Sequence, residues 1–92
     1  MPNLVTLDVS DLEPPQPMER ILETLRQLQP GSALKVQHRR EPIPFYPMLK
    51  ELGYSRISRK LAEDRFVIFI WLTEDASLEP FCQQAANRET ES

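Results

Sequence analysis

The chain has 92 residues, of which 40% are hydrophobic and 27% are charged, and its formal net charge is -3. This length suits one domain, and the balance of apolar and charged residues excludes intrinsic disorder. The acidic net charge argues against nucleic-acid binding, which needs a basic surface.

The sequence predicts neither a targeting segment nor a membrane span. Its longest apolar stretch, residues 66–72, is far shorter than the roughly 20 residues of a membrane-spanning helix. We therefore expect a cytoplasmic protein without membrane contact. The single cysteine, Cys82, excludes an internal disulfide, and Cys82 with the single histidine, His38, is too few ligands for a structural zinc site.

The first half of the chain predicts a strand, a helix and a second strand. Residues 4–9 are a short apolar, β-branched run typical of a strand. After a proline-rich turn, apolar residues at helical spacing predict an amphipathic helix over residues 15–29, which a Pro-Gly pair ends. Residues 33–38 alternate in polarity and predict a strand with Leu34 and Val36 facing the core.

The second half predicts a short helix and then a hairpin. Pro44 or Pro47 suits the first turn of a helix that Gly53 terminates, although the same proline-rich segment also has the composition of a polyproline ligand. Residues 54–61 and 65–72 predict two strands joined by a tight turn. The last strand is apolar on both faces, so we expect it inside the sheet.

The predicted order, βαβαββ, indicates an α/β fold of the α+β two-layer type in residues 1–73. Right-handed crossovers place both helices on one face of a mixed four-stranded sheet of order 1-2-4-3. The opposite face then exposes apolar residues of the last strand, which suggests a partner or a homodimer. The alternative is cover by residues 74–92, a polar tail with room for a short helix beginning near Pro80 and with Phe81 as its apolar contact.

The turn before the first helix resembles the signature turn of the TusA/SirA-like sulfur-carrier proteins, which are small βαβαββ two-layer domains. The resemblance rests on Leu-Asp and Pro-x-Pro within residues 7–17, with Pro14 at the family's cysteine position. The closer resemblance is to an uncharacterised cysteine-less branch, which carries Glu-Pro-Pro-x-Pro-Met and then Arg-Glu-Pro-x-Pro-Leu-Tyr-Pro. Residues 13–18 and 40–47 match these motifs except at Phe45. The resemblance implies the fold and not the sulfur-carrier activity.

The loss of cysteine from the turn removes the chemistry of a sulfur carrier, because Pro14 has no nucleophilic atom. Pro14, Pro15 and Pro17 also remove three backbone donors from the start of the helix, which weakens it as an anion cradle. A redox or sulfur-relay role through Cys82, or with a cysteine-bearing partner, is the alternative hypothesis, since the first turn of a short helix lowers a thiol pKa. Cys82 as a small apolar filler is the simpler interpretation.

The C-terminal ends of the three parallel strands are expected to share one edge of the sheet, where α/β folds commonly bind ligands. Eight of the eleven Lys and Arg residues fall in residues 35–65, so this edge is locally basic. We predict a binding site there, for a protein partner or a small anionic ligand and without a cofactor or metal. The candidate residues are Glu13, Pro14, Pro15, Pro17, Met18, His38, Arg39, Arg40, Glu41 and Tyr46.

Three other interpretations of this edge remain open. The basic residues also fit a solvated rim that binds nothing specific. His38 also fits a haem or metal ligand shared with a symmetric partner. Glu13 and Glu41 would form an acid/base pair if they met across the edge, although we expect binding rather than catalysis.

Overall fold

The computed structural model describes residues 2–91, and within them the chain forms four β-strands and three α-helices. In chain order the elements are β1 (Asn3–Asp8), α1 (Gln16–Gln27), β2 (Ser32–His38), a 3-10 turn (Ile43–Phe45), α2 (Tyr46–Glu51), β3 (Tyr54–Ala62), β4 (Arg65–Leu72) and α3 (Leu78–Thr90). The sheet order is β1-β2-β4-β3, with β1 parallel to β2 and β4 antiparallel to both β2 and β3. The predicted βαβαββ fold and its sheet order are confirmed.

The main core lies between the sheet and the helices α1 and α2. Leu34 and Val36 of β2 are fully buried in it, as their alternation predicts. The other buried members of this cluster are Val9, Ile21, Leu25, Phe45, Tyr46, Leu49, Ile68 and Ile70. Because burial of each large aliphatic side chain stabilises the fold by about 1.5–3 kcal/mol, this cluster holds both helices on one face of the sheet.

The sequence explains both ends of α1. Pro17 is its second residue, where a missing N–H and a fixed φ cost little. At the other end, Leu28 is extended and Gly31 has a φ of 82°, a conformation that favours glycine. The chain therefore leaves the helix and turns into β2, where the Gly31 carbonyl accepts a hydrogen bond of 3.0 Å from the Asn3 N–H.

The proline-rich segment before β3 is helical rather than extended, which confirms the helix and not the polyproline interpretation. The 3-10 turn Ile43–Phe45 leads directly into α2, and Leu49 of α2 is fully buried against the sheet. Gly53 ends the helix with a φ of 91°. An L side chain rarely adopts this conformation, so glycine permits the sharp return into β3.

The second face of the sheet is covered by α3. Val67, Phe69 and Trp71 of β4 lie on this face and are at most 4% exposed. Four small or aliphatic residues of α3 pack against them at i, i+4, i+7 and i+8, and they are Leu78, Cys82, Ala85 and Ala86. The helix α3 is therefore a third layer, in addition to the two layers that the sequence predicts.

Polar contacts hold the C-terminal half of α3 in place. Lys35 Nζ lies 3.0 Å from Glu89 Oε2, and Arg59 donates to the Asn87 side-chain oxygen at 3.1 Å. Of the two alternatives for this face, exposure with a homodimer through it is wrong and cover by the C-terminal segment is confirmed, because α3 packs over the face. Phe81 is partly buried beside this cluster, as the alternative proposed.

Among residues 2–91, the longest and most apolar helices still fall short of what a membrane crossing requires.

Candidate functional site

A groove of about 470 Å³ lies at the C-terminal edge of the sheet, between the proline turn and the segment that follows β2. We call it the proline groove. The residues that line it are Leu12, Glu13, Pro14, Pro15, Pro17, Met18, Ile21, His38, Arg39, Arg40, Glu41, Pro42, Pro44 and Phe45. The structure therefore brings together nine of the ten candidate residues, and the tenth, Tyr46, does not line the groove.

Backbone hydrogen bonds set the proline turn beside the end of β2. The Val9 N–H donates to the Gln37 carbonyl at 2.9 Å and extends the pairing of the two strands. The Asp8 carboxylate then accepts hydrogen bonds from the Ser10 N–H at 2.9 Å and from its hydroxyl at 2.6 Å, which turns the chain. The Ser10 hydroxyl, and then the Ser10 amide, lower the pKa of Asp8.

The walls of the proline groove are apolar and poor in backbone donors. Five of its fourteen lining residues are prolines, which have no N–H, and the Pro14–Pro15 peptide bond is cis. Neighbouring amides donate inside the protein, from Gln16 to Glu13, from Ile43 to Glu41 and from Phe45 to Pro42. The groove therefore offers surface for apolar contact and few amides for an anion.

The basic rim of the groove consists of three consecutive residues with different surroundings. Arg39 Nη2 lies 3.0 Å from Glu13 Oε1, and both side chains are exposed. Among residues 2–91, no carboxylate lies within ion-pair distance of Arg40. The Arg40 N–H donates to His38 Nδ1 at 3.1 Å. Burial first, and then the charges of Arg39 and Arg40, lower the pKa of His38.

Glu41 is anchored to the core rather than directed at a ligand. Its Oε2 accepts hydrogen bonds from Tyr46 Oη at 3.1 Å and from Ser58 Oγ at 2.8 Å. Arg56 stacks on the Tyr46 ring, with Cζ 3.8 Å from the centroid, and burial is the main cause that raises the pKa of Tyr46 to about 12. Tyr46 does not line the groove, but its hydroxyl holds the Glu41 side chain in place by this hydrogen bond.

Glu13 and Glu41 both line the groove but do not form the acid/base pair that the sequence left open. The Glu13 carboxylate pairs with Arg39, whereas the Glu41 carboxylate accepts from Tyr46 and Ser58. Both carboxylates are therefore engaged within the protein, and neither contacts the other.

Cys82 belongs to α3 and does not line the proline groove. It is the fifth residue of α3 and not in its first turn, and it is fully buried against β4. Burial raises its pKa to about 11, whereas a nucleophilic cysteine needs a lowered one. The first-turn position on which the alternative hypothesis for Cys82 depends is therefore wrong, because α3 begins before Pro80 and turns Cys82 towards the sheet. The simpler interpretation, a small apolar filler, agrees with this burial.

No group of three His, Cys, Asp or Glu side chains within the described chain, residues 2–91, is arranged to hold a metal ion. His38 also has two guanidinium groups beside it, which disfavour a cation. The basic residues of the β3–β4 hairpin are directed elsewhere, since Arg59 contacts Asn87 and Lys60 lies 3.4 Å from Glu63.

Five lining residues are not among the candidates predicted from the sequence, and they are Leu12, Ile21, Pro42, Pro44 and Phe45. Pro42 and Pro44 lie inside the motif of residues 40–47, so their proximity to the basic rim was a usable signal. Ile21 and Phe45 are core residues whose edges reach the groove, and no pattern in the sequence separates such residues from the rest of the core.

A family model described as an uncharacterized conserved protein (DUF2249) matches residues 6–72. The matched region includes α1, α2, the second half of β1 and all of β2, β3 and β4, and it ends before α3. Searches of curated proteins and of solved structures found no significant match. The family match covers more than half of the sequence and the whole proline groove, and on this basis the chain belongs to the DUF2249 family.

Proposed function

We propose that the chain is a non-enzymatic accessory or regulatory domain that binds a protein partner or a small anionic ligand in the proline groove. One observation carries the proposal. The fourteen lining residues combine apolar walls with Arg39 and Arg40 at the rim, and they include no cysteine, serine, threonine or lysine. Such a surface has the means to hold a ligand, and it lacks the thiol, hydroxyl and amine groups that are common nucleophiles in covalent catalysis.

The size of the groove agrees with ligand binding. Its volume of about 470 Å³ falls within the ~300–1,000 Å³ range of sites for small molecules. Those sites are mainly apolar and contain a few polar groups that orient the ligand. Arg40 fits this role, since the residue is exposed and has no ion pair within residues 2–91.

The resemblance of the turn to sulfur carriers supports docking rather than sulfur transfer. Pro14 at the cysteine position leaves the shape of such a turn without its thiol. Cys82 is no replacement, because it is buried on the opposite face of the sheet. The groove therefore favours a domain that binds a partner or ligand at this surface and does not transfer sulfur.

Amide chemical shifts of the isotope-labelled chain test the proposal, with phenylacetate and its neutral analogue phenylacetamide as probes. We expect both probes to shift the amides of Met18, Ile21 and Glu41, because the phenyl ring contacts the apolar walls. Phenylacetate should bind more tightly than phenylacetamide, because Arg40 attracts its carboxylate.

Two methionines provide a matched pair of variants for this test. Met18 lines the groove, whereas Met48 is an exposed residue of α2 outside it. Met18→Lys should remove the shifts by placing a charged side chain in the groove, and Met48→Lys should leave them unchanged. Absence of shifts at the groove, or shifts that persist in Met18→Lys, would contradict the proposal.

A further inference from the structure

We infer that the proline groove takes an extended peptide segment in which an apolar side chain stands next to an acidic residue, and that Arg40 pairs with the acidic group. This inference rests on the proposed function and narrows it to one class of partner. It also gives Glu13 a role as a competitor for Arg39.

The supply of backbone donors argues for a peptide side chain rather than a small oxyanion. Anion sites formed by backbone collect several free N–H groups around one oxyanion. Here five prolines have none, and the amides of Gln16, Ile43 and Phe45 donate to carbonyls of the protein. The Arg40 amide is also engaged, because it donates to His38 Nδ1. Affinity must therefore come from apolar contact together with a guanidinium.

The walls also indicate how a peptide would lie. Pro14, Pro15 and Pro44 are exposed along the groove, so its surface is continuous with the outside of the protein. Prolines donate no hydrogen bond to a partner backbone, which excludes their part of the wall from pairing by strand addition. Recognition therefore depends on a side chain inserted against Met18 and Ile21.

Charge complementarity specifies the neighbouring residue of the peptide. Four charged residues line the groove, and their pairing is uneven. Glu41 is directed to Tyr46 and Ser58, and Glu13 is paired with Arg39. The positive charge of Arg40 is left without a carboxylate among residues 2–91, and an acidic residue of the partner would neutralise it.

Glu13 lowers the affinity for such a peptide, because it occupies Arg39. The Glu13 side chain is 78% exposed and that of Arg39 is 42% exposed, so their ion pair is weak and open to exchange. An acidic group of the partner competes for the same guanidinium. Glu13→Gln should therefore strengthen binding of an acidic peptide by about two- to five-fold.

Selection from a random-peptide display library on the immobilised full chain tests the inference. We expect enrichment of peptides that place Leu, Ile, Met, Phe or Trp next to Asp or Glu. The variant Arg39→Glu/Arg40→Glu should instead enrich peptides with Lys or Arg beside the apolar residue, because the sign of the rim is reversed.

Titration of the tightest selected peptide then measures the individual side chains. Arg40→Gln should weaken its binding by about three- to ten-fold. Arg88→Gln is the matched control, since Arg88 is exposed on α3 and does not line the groove, and it should leave binding unchanged. All these substitutions are at exposed positions, so the variants should fold.

The outcomes separate the inference from the proposed function. Peptides that bind Met18→Lys as well as the parent chain overturn both if phenylacetate also fails to shift the groove amides, because the groove is then not a binding site. Peptides that need Met18 but show no acidic preference, or that ignore Arg40→Gln, overturn the inference alone. The same holds if phenylacetate binds in the groove and no groove-dependent peptide is selected. Weaker binding in Glu13→Gln overturns the competitor role of Glu13.

Discussion

At the scale of single residues, Cys82 gives the most direct test of the chemistry. Burial raises its pKa to about 11, so at pH 8 the thiolate fraction is on the order of 100-fold lower than that of an ordinary thiol with a pKa near 8.5. We expect alkylation by iodoacetamide to be slow in the folded chain and fast in guanidinium chloride. The rates, followed by mass spectrometry against pH, measure the pKa.

The same thiol tests the sulfur-relay hypothesis. Because Cys82 is 0% exposed, we expect no persulfide mass after incubation of the folded chain with a cysteine desulfurase and cysteine. A chain unfolded and labelled in parallel confirms that the thiol is intact. Rapid alkylation of the folded chain with a titration near 8.5, or a persulfide adduct, would contradict a buried and inert Cys82.

The surroundings of His38 hold its pKa below the ordinary value of 6.5. Burial is the main cause, and Arg39 and Arg40 add to it. We therefore expect Arg39→Gln/Arg40→Gln to raise the pKa of His38 without bringing it back to 6.5. Imidazole chemical shifts followed against pH measure both values. A parent pKa at or above 6.5 is the result that would contradict this prediction.

The lowered pKa of His38 also fixes the sign of a stability change. As the pH falls, His38 takes up its proton at a higher pH in the unfolded chain than in the folded chain. The free energy of unfolding therefore falls as the pH drops below about 6.5. Protonation of Nδ1 also removes the acceptor of the Arg40 N–H. Urea unfolding at several pH values should show this loss in the parent chain and a smaller one in His38→Gln. Equal slopes for the two chains would contradict it.

Residue patterns predicted the core better than they predicted the rim. Leu34 and Val36 alternate with polar residues, and this local pattern alone sets the face they occupy. The pairing of Glu13 with Arg39 joins residues 26 positions apart, and long side chains leave no trace of their partner in the sequence. The proximity of the two segments was predictable from strand order, whereas the choice of partner was not.

At the scale of elements, α3 is the part that the sequence predicted least well. Its buried stripe contains Cys82, Ala85 and Ala86, whose small side chains give a weak apolar pattern between polar neighbours. The helix is stable because it packs on the large side chains of Phe69 and Trp71, which lie elsewhere in the sequence. In contrast, α1 and β2 were predicted from their own periodicity, and β4 from its unbroken apolar run.

Substitution of Ala86 should release α3 from the sheet. Ala86→Glu places an unpaired carboxylate against Phe69 and Trp71, and we expect it to lower the free energy of unfolding by roughly 3 kcal/mol or more. Trp71 is the only tryptophan and is 4% exposed, so its fluorescence should shift to longer wavelength. The control Gln84→Glu adds the same charge on the exposed side of α3.

Urea unfolding and the emission of Trp71 measure the two effects in both variants. We expect Gln84→Glu to resemble the parent chain in stability and in emission. Equal behaviour of the two variants would mean that Ala86 is not packed against the sheet. Because the proline groove lies on the other side of the sheet, a partly released α3 should leave phenylacetate binding at Met18 unchanged.

At the scale of the whole molecule, the family match covers most of the sheet and the helices of the groove face but ends before the third layer, α3. The match to DUF2249 over residues 6–72 contains both helices of the groove face and no residue of α3. The groove therefore lies within the region that the family model matches, whereas the cover of the second sheet face lies outside it. The sequence predicted the sheet with α1 and α2 on one face, because strand order and crossover handedness restrict the topology.

Removal of α3 should convert the covered face into an interface between copies. A chain that ends at Thr73 exposes Val67, Phe69 and Trp71 together, and large exposed apolar patches drive association. We expect this shortened chain to sediment as dimers or larger species whose proportion rises with concentration. The full chain should remain monomeric under the same conditions, since its only described cover of that face, α3, is in place.

A synthetic peptide of residues 74–91 separates loss of cover from loss of fold. If α3 acts only as a cover, the added peptide should bind the shortened chain, restore the monomer and move the Trp71 emission back to shorter wavelength. The same peptide with Ala86→Glu is the matched control and should do neither, because its buried face carries a charge. A shortened chain that stays a folded monomer with the parent emission would contradict the prediction, because another segment must then cover the sheet.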